Sequence, residues 1–205
     1  MDILTVRGLT RRFGELVVLD DVHFGLTAGR LAVVAGPNGS GKTTLLRCVV
    51  GSDRPDEGEV LIDGKPCHET DPEVRAVLAA ALDDIDFFPD LSVAEHLELV
   101  AYAHGGAAQP VAEILAELDL DRVADQLPVT LSSGQRQRLT LASCFVRPRR
   151  LLVLDEPEQR LDGRGRAWLA DRLLREKAAG TAVLMASHDA DLIAEVADDR
   201  IEVGG

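Results

Sequence analysis

A chain of 205 residues, 46% apolar and 28% charged, has the composition of a folded domain with its own core, which excludes a disordered polar chain. Its formal charge of −13 argues against a nucleic-acid partner, which calls for a basic face. No apolar run approaches the ~20 residues of a membrane span, "AVLAAAL" (76–82) being among the longest. The opening "MDILTVRGLT" lacks the basic-then-apolar order of a secretory leader, so the cytoplasm is the expected compartment.

"ILTVRGL" and "VHFGLTAG" alternate as strands do, with a turn expected around "RRFGELVV". "RLAVVA" (30–35) is a continuous β-branched run, the pattern of a strand buried on both faces. After a glycine-rich loop, Leu45, Leu46, Val49 and Val50 recur at helical spacing, and Gly51 supplies a C-cap. "GEVLIDGK" predicts a strand and an Asp63-Gly64 turn. From about Ile85 to Phe145 the pattern is helical, with Ser92 and Glu95 spaced as a capping box and Pro89, Pro110 and Pro128 as punctuation. Strands return at "LLVLD" (151–155), "TAVLMAS" (181–187) and "RIEV" (200–203), alternating with helices over 164–178 and 189–196. This order predicts a mostly parallel α/β sheet with a helical insertion. No sizeable C-terminal regulatory domain is expected after "RIEVGG".

Cys48, Cys67 and Cys144 form no CxxC pair, so neither a zinc site nor a disulfide frame is expected, and Cys48 and Cys144 fall in apolar helical stretches. Residues 83–144 hold eleven carboxylates against three arginines. That charge suits a solvated helical surface, or a docking face for a basic partner.

Three stretches carry chemistry. "GPNGSGKT" fits the phosphate-loop pattern at a junction of buried strand and helix. Its glycines let backbone N–H groups close on phosphate oxygens, the following helix offers its positive end, Lys42 adds a compact charge, and the Thr43 hydroxyl suits Mg²⁺. Gly36, Pro37, Asn38, Gly39, Ser40, Gly41, Lys42, Thr43 and Thr44 are the candidate nucleotide contacts. "LLVLDEP" delivers Asp155 and Glu156 at the carboxyl end of a strand, the edge where ligands gather in open α/β sheets. There Asp155 reaches the Mg²⁺ shell and Glu156 orients or deprotonates an attacking water. "LSSGQRQR" opens a helix with Ser132 and Gln135 as a capping box, a helix end suited to a second anion.

In this order, "GPNGSGKT", "LSSGQ" and "LLVLDEP" resemble the motifs of the ATP-binding-cassette (ABC) family along essentially the whole chain. The resemblance implies a P-loop NTPase cassette with a RecA-like core, an N-terminal antiparallel β subdomain and an inserted helical subdomain. The core would span about 1–82 and 146–205, and the insertion about 83–145. It implies ATP and Mg²⁺ as cofactors and two cassettes packed head-to-tail, as homodimer or heterodimer. Each ATP would sit between the phosphate loop of one subunit and Ser132, Ser133, Gly134 and Gln135 of the other. Catalysis would fall to Glu156, His188 and Lys42, with Thr43 and Asp155 on the metal.

By the same resemblance Phe13 stacks on adenine and Asp162 closes the loop "EQRLD", where Gln159 replaces the usual Ser or Ala. The glutamine that the family places at the end of the strand in "LAAALDDIDFFPDLSV" (78–93) is missing. Asp83 or Asp84 stands there, Asp83 being the candidate additional metal ligand. Phe87, Phe88 and Pro89 suit either a partner patch or the helical core. His23, His68, His96 and His104 receive no role. The implied function is the ATPase subunit of a membrane transporter, working with a transmembrane permease subunit at the inner face of the membrane. The alternatives are a soluble non-transport ABC ATPase or a binding-only cassette with slow turnover.

Overall fold

In the computed structural model, which describes residues 2–68, 70–82 and 86–204, the N-terminal chain makes a long hairpin. The turn falls within the expected stretch 11–18, but the strands β1 (Asp2–Phe13) and β2 (Leu16–Thr27) extend into it from both sides, so that only Gly14 and Glu15 connect them. Register shifts between Val6 and Leu9 and between Leu9 and Arg11 break the alternation there, which hid the strand in "RRF". β1 also pairs antiparallel with β4 (Glu57–Ile62), which pairs with the short β5 (Lys65–Pro66). The β4–β5 turn is Asp63-Gly64 as expected, both at positive φ (50° and 77°).

The second sheet is parallel. Its strands are β3 (Leu31–Ala35), β6 (Leu78–Ala81), β7 (Leu151–Asp155), β8 (Ala182–Ala186) and β9 (Asp199–Glu202), in the order β6-β7-β8-β3-β9. The helices are α1 (Lys42–Val50), α2 (Pro72–Val77), α3 (Val93–Ala103), α4 (Val111–Glu117), α5 (Ser133–Phe145), α6 (Gly163–Ala178) and α7 (Ala190–Val196). Two 3₁₀ turns, Asp121–Val123 and Pro128–Thr130, lie between α4 and α5. The pattern did not reveal α2. Six residues are too few for a helical period, and its start is marked only by Asp71, which accepts from the Glu73 N–H, and by Pro72 in the first turn.

Alternation along the parallel strands divides the core. Leu31, Val33, Leu152, Leu154, Val183 and Met185 face α3 to α7. Ala32, Val34, Leu151, Val153, Leu184 and Ala186 face α1 and the antiparallel sheet. Both faces are covered, so these strands read as unbroken apolar runs. Burying each Leu or Val contributes about 1.5–3 kcal/mol.

Below the helical layer, Phe145 is fully buried and meets Trp168 edge-on, ring centroids 5.7 Å apart. Arg149 and Arg172 lie over the Phe145 ring, and both pair with the buried Glu176. Burial lowers the Arg172 guanidinium pKa against the pull of Glu176.

Cys48 and Cys144 are buried, and burial pushes their thiols up to about 12 and about 11, so neither is a nucleophile. The two phenylalanines divide: Phe87 packs on the core and meets His96 edge-on at 5.1 Å, whereas Phe88 is half exposed. Glu95, Glu98, Glu113, Asp121 and Asp125 are exposed, as a solvated acidic face requires. No helix among the described residues is long and apolar enough to cross a membrane.

Candidate functional site

β3 ends in the core at Ala35, and the chain then turns through Gly36–Gly41 into α1. Two glycines make the turn possible. A Cβ on Gly36 would lie 2.4 Å from the Val203 carbonyl oxygen, and one on Gly41, at φ 95°, would lie 2.7 Å from Val18 Cγ1. No side chain among the described residues caps α1, so its first N–H groups are left open toward the loop. The Ser40 hydroxyl is buried with no hydrogen-bond partner among the described residues. Lys42 is 7% exposed, and its Nζ donates to the carbonyls of Gly36 and Pro37, both at 3.0 Å. No carboxylate among the described residues lies within ion-pair distance of it. A buried ammonium, an orphan hydroxyl and open helix N–H groups together fit an anion of phosphate type.

Across from the loop, Thr43 donates its hydroxyl to Asp155 Oδ2 at 2.6 Å. A hydroxyl and a carboxylate oxygen so placed are hard donors of the kind Mg²⁺ takes, alongside phosphate oxygens and water. The β7–β8 register pairs Asp155 with Ala186, which sets the next residues of both strands side by side. The Glu156 N–H donates to the Ala186 carbonyl at 2.8 Å, and His188 Nε2 lies 3.3 Å from Glu156 Oε1. Glu156 holds a left-handed backbone, φ 46°, a strain that concentrates at functional positions. A cleft of about 260 Å³ opens here, lined by Thr43, Ala81, Leu82, Gln137, Thr140, Asp155, Glu156, Gln159 and Arg160. Asp83 follows Leu82 but lies outside the described residues.

The helix end in "LSSGQ" forms as its spacing predicts. Ser132 Oγ accepts from the Gln135 N–H at 3.3 Å, and Gln135 Oε1 accepts from the Ser132 N–H at 2.9 Å. Ser132 and Ser133 are exposed, and none of Ser132, Ser133, Gly134 and Gln135 lines the cleft. Asp162 does not line it either. Its Oδ1 caps α6 by accepting from the Gly165 N–H at 2.8 Å and also accepts from Arg138 at 3.1 Å. The Gly165 N–H, with Arg138 beside it, holds the Asp162 carboxyl below the usual carboxylate range. Phe13 is 51% exposed at the hairpin tip with the Arg11 guanidinium 4.5 Å from its ring centre, and the same hairpin touches the phosphate loop through Val18.

Six cleft residues were not foreseen: the apolar Ala81 and Leu82 and the polar Gln137, Thr140, Gln159 and Arg160. The capping box at Ser132 carried a usable signal, since it fixes the phase of α5 and places 133, 137 and 140 on one face. The left-handed φ of 62° at Arg160 has no such signal.

A family model described as ABC transporter matches residues 19–159. The chain is 32% identical over 202 residues to the SkfA peptide export ATP-binding protein SkfE of Bacillus subtilis, covering 97% of this chain and 84% of that protein. It is 35% identical over 196 residues to the spermidine/putrescine import ATP-binding protein PotA of Nitrosospira multiformis, covering 93% of this chain. The chain spans about half, 54%, of the length of that relative and of PotA from Chromobacterium violaceum. A solved structure described as the ATP-binding subunit of an ABC transporter superimposes with a TM-score of 0.91 at 26% identity, over 98% of this chain and 85% of that one. A dimeric bacterial ABC transporter cassette shares the fold, with a TM-score of 0.85 at 24% identity over 98% of this chain and 95% of the other.

Proposed function

The chain belongs to the ABC transporter family, and on that premise we propose that it is an ATP-hydrolysing subunit that drives a membrane transporter by closing head-to-tail on a second cassette. One observation carries the proposal: the phosphate loop and the carboxyl edge of β7 meet through Thr43 and Asp155, with Glu156 and His188 beside them.

ATP is the substrate. The loop N–H groups and Lys42 bind its phosphates, Lys42 exchanging its two carbonyl acceptors for phosphate oxygens. Thr43 and Asp155 are the residues that would hold Mg²⁺, which when bound supplies charge neutralisation at the phosphate oxygens. Glu156 accepts the proton of the attacking water, and His188, 3.3 Å from that carboxylate, keeps it oriented. The products are ADP and phosphate. Phe13 is positioned on the exposed hairpin to stack on the base.

The exposed N-terminus of α5 supplies Ser132, Ser133, Gly134 and Gln135 to the neighbour's nucleotide, so ATP holds the pair closed and its cleavage releases it. Asp162, at the end of the 158–162 loop, belongs to the same intersubunit surface. The membrane path lies in a separate permease chain. This cassette sits against it at the inner face of the membrane, where permease loops are typically basic and the exposed acids of α3, α4 and the turn after them are complementary. Purification from membranes with candidate permeases tests this, and a cassette that never co-purifies with a membrane protein contradicts it.

A further inference from the structure

Glu158 ties together two parts of the site that the proposed function treats separately. Its Oε1 accepts from the Ser187 hydroxyl at 2.6 Å and from the His188 backbone N–H at 3.1 Å. Ser187 Oγ accepts in turn from the Asp189 N–H at 3.1 Å, and Asp189 caps α7. The turn that bears the histidine therefore hangs on a carboxylate from the loop after β7.

That loop is held on its other side by α5. Gln137 donates to the Pro157 carbonyl at 3.1 Å. Gly134 sits so close that a Cβ on it would lie 3.1 Å from the Arg160 carbonyl oxygen. A continuous series of contacts thus runs from the first turn of α5, through 157–160, to His188 and Glu156.

We propose that Glu158 is a positioning residue that holds His188 against Glu156 and transmits to it the placement of the α5 N-terminus. Given the ATPase function proposed above, on which this rests, the neighbour's nucleotide at α5 is thereby coupled to this chain's own hydrolytic pair. Glu158 fixes the backbone from which the imidazole projects and leaves the ring free to meet Glu156. Its second oxygen, Oε2, is buried with no hydrogen-bond partner among the described residues. The two bonds of Oε1 are what offset that burial, so the carboxylate has a strong reason to keep them.

Glu158→Ala lowers kcat about ten- to hundredfold through misplacement alone, while KM for ATP stays within about twofold because phosphate binding is untouched. Glu158→Gln keeps an acceptor oxygen and restores most of the turnover. A second readout needs no turnover. In NMR of the full chain with labelled histidine and no nucleotide, the His188 ring resonances move in Glu158→Ala and return in Glu158→Gln. Ser187→Ala, which removes one partner only, moves them by a smaller step and serves if the alanine variant folds poorly. A parental chain without ATPase activity contradicts the proposed function but leaves the NMR comparison decisive for Glu158. Unmoved resonances, or a parental kcat in Glu158→Ala, overturn the proposal.

Discussion

Thr43 and Asp155 stand 112 positions apart in the chain, yet the Thr43 hydroxyl donates to the Asp155 carboxylate at 2.6 Å. The contact closes the phosphate loop on the end of the strand that leads into Glu156, the proposed general base. If these two groups hold Mg²⁺, Asp155→Asn lowers ATP turnover about hundredfold or more, the scale of losing a metal-linked charge in a closed site. Thr43→Ala raises the Mg²⁺ concentration needed for half-maximal rate. A magnesium titration of ATPase rate checks both.

Lys42 makes no ion pair among the described residues and is buried against two carbonyls. Lys42→Met weakens ATP binding by about 1.5–3 kcal/mol, the range of a charge-assisted hydrogen bond, or roughly ten- to a hundredfold in Kd. Fluorescent-nucleotide titration measures this, and a thermal melt verifies that the fold persists.

Ser133 is exposed at the start of α5. Ser133→Trp leaves ATP binding to the isolated monomer within about twofold, because loss of contacts confined to the partner's site does not touch the phosphate loop. Closed-dimer formation is lost. A helix that was merely well capped would give a variant that still dimerises. Nucleotide titration paired with gel filtration in ATP separates the two outcomes.

His104 lies beside Arg147 and Arg75, and burial together with these cations pushes its imidazole down to about 4 from an ordinary 6.5. The folded state therefore favours the neutral ring. Stability from this source is complete above pH 6.5 and falls as pH drops from 6.5 toward 4, because the unfolded chain takes up the proton first. The melting temperature of the parental chain declines over that window, and His104→Asn flattens the decline. Parallel melts of the two proteins across the window measure it.

Glu176 compensates two arginines at once beneath α6, with the Glu176 side chain 7% exposed and those of Arg149 and Arg172 6% and 8% exposed. Glu176→Gln leaves Arg149 without a carboxylate partner among the described residues and Arg172 with Glu117 alone, 3.1 Å away, and destabilises the fold by about 3 kcal/mol. Urea unfolding gives the value, and unchanged nucleotide affinity in the variant separates this effect from the site.

Much of this site was legible because its parts are local patterns. The run Leu151–Asp155, the capping box at Ser132 and Gln135, and the glycine loop each depend on neighbours within a few residues, and each forms where its spacing places it. What escaped depends on contacts across the fold. Glu158 reads as an ordinary polar loop residue until β8 brings Ser187 to its carboxylate. Gln137 lay in a quoted motif, but its pairing with Pro157 becomes visible only when α5 is packed beside the end of β7. The hairpin and its turn were legible, but its strands were read too short for a related reason. Bulges in β1 shift which residues face the core, so alternation failed where the ladder with β2 continues to Phe13 and Leu16.

The most direct test follows the mass of a hydrolysis-deficient chain. Light scattering of Glu156→Gln in saturating magnesium and ATP gives about twice the monomer mass, and Ser133→Trp placed in the same chain returns it to the monomer. A Glu156→Gln chain that stays monomeric in saturating ATP, alone and when mixed with candidate companion cassettes, contradicts the shared nucleotide clamp.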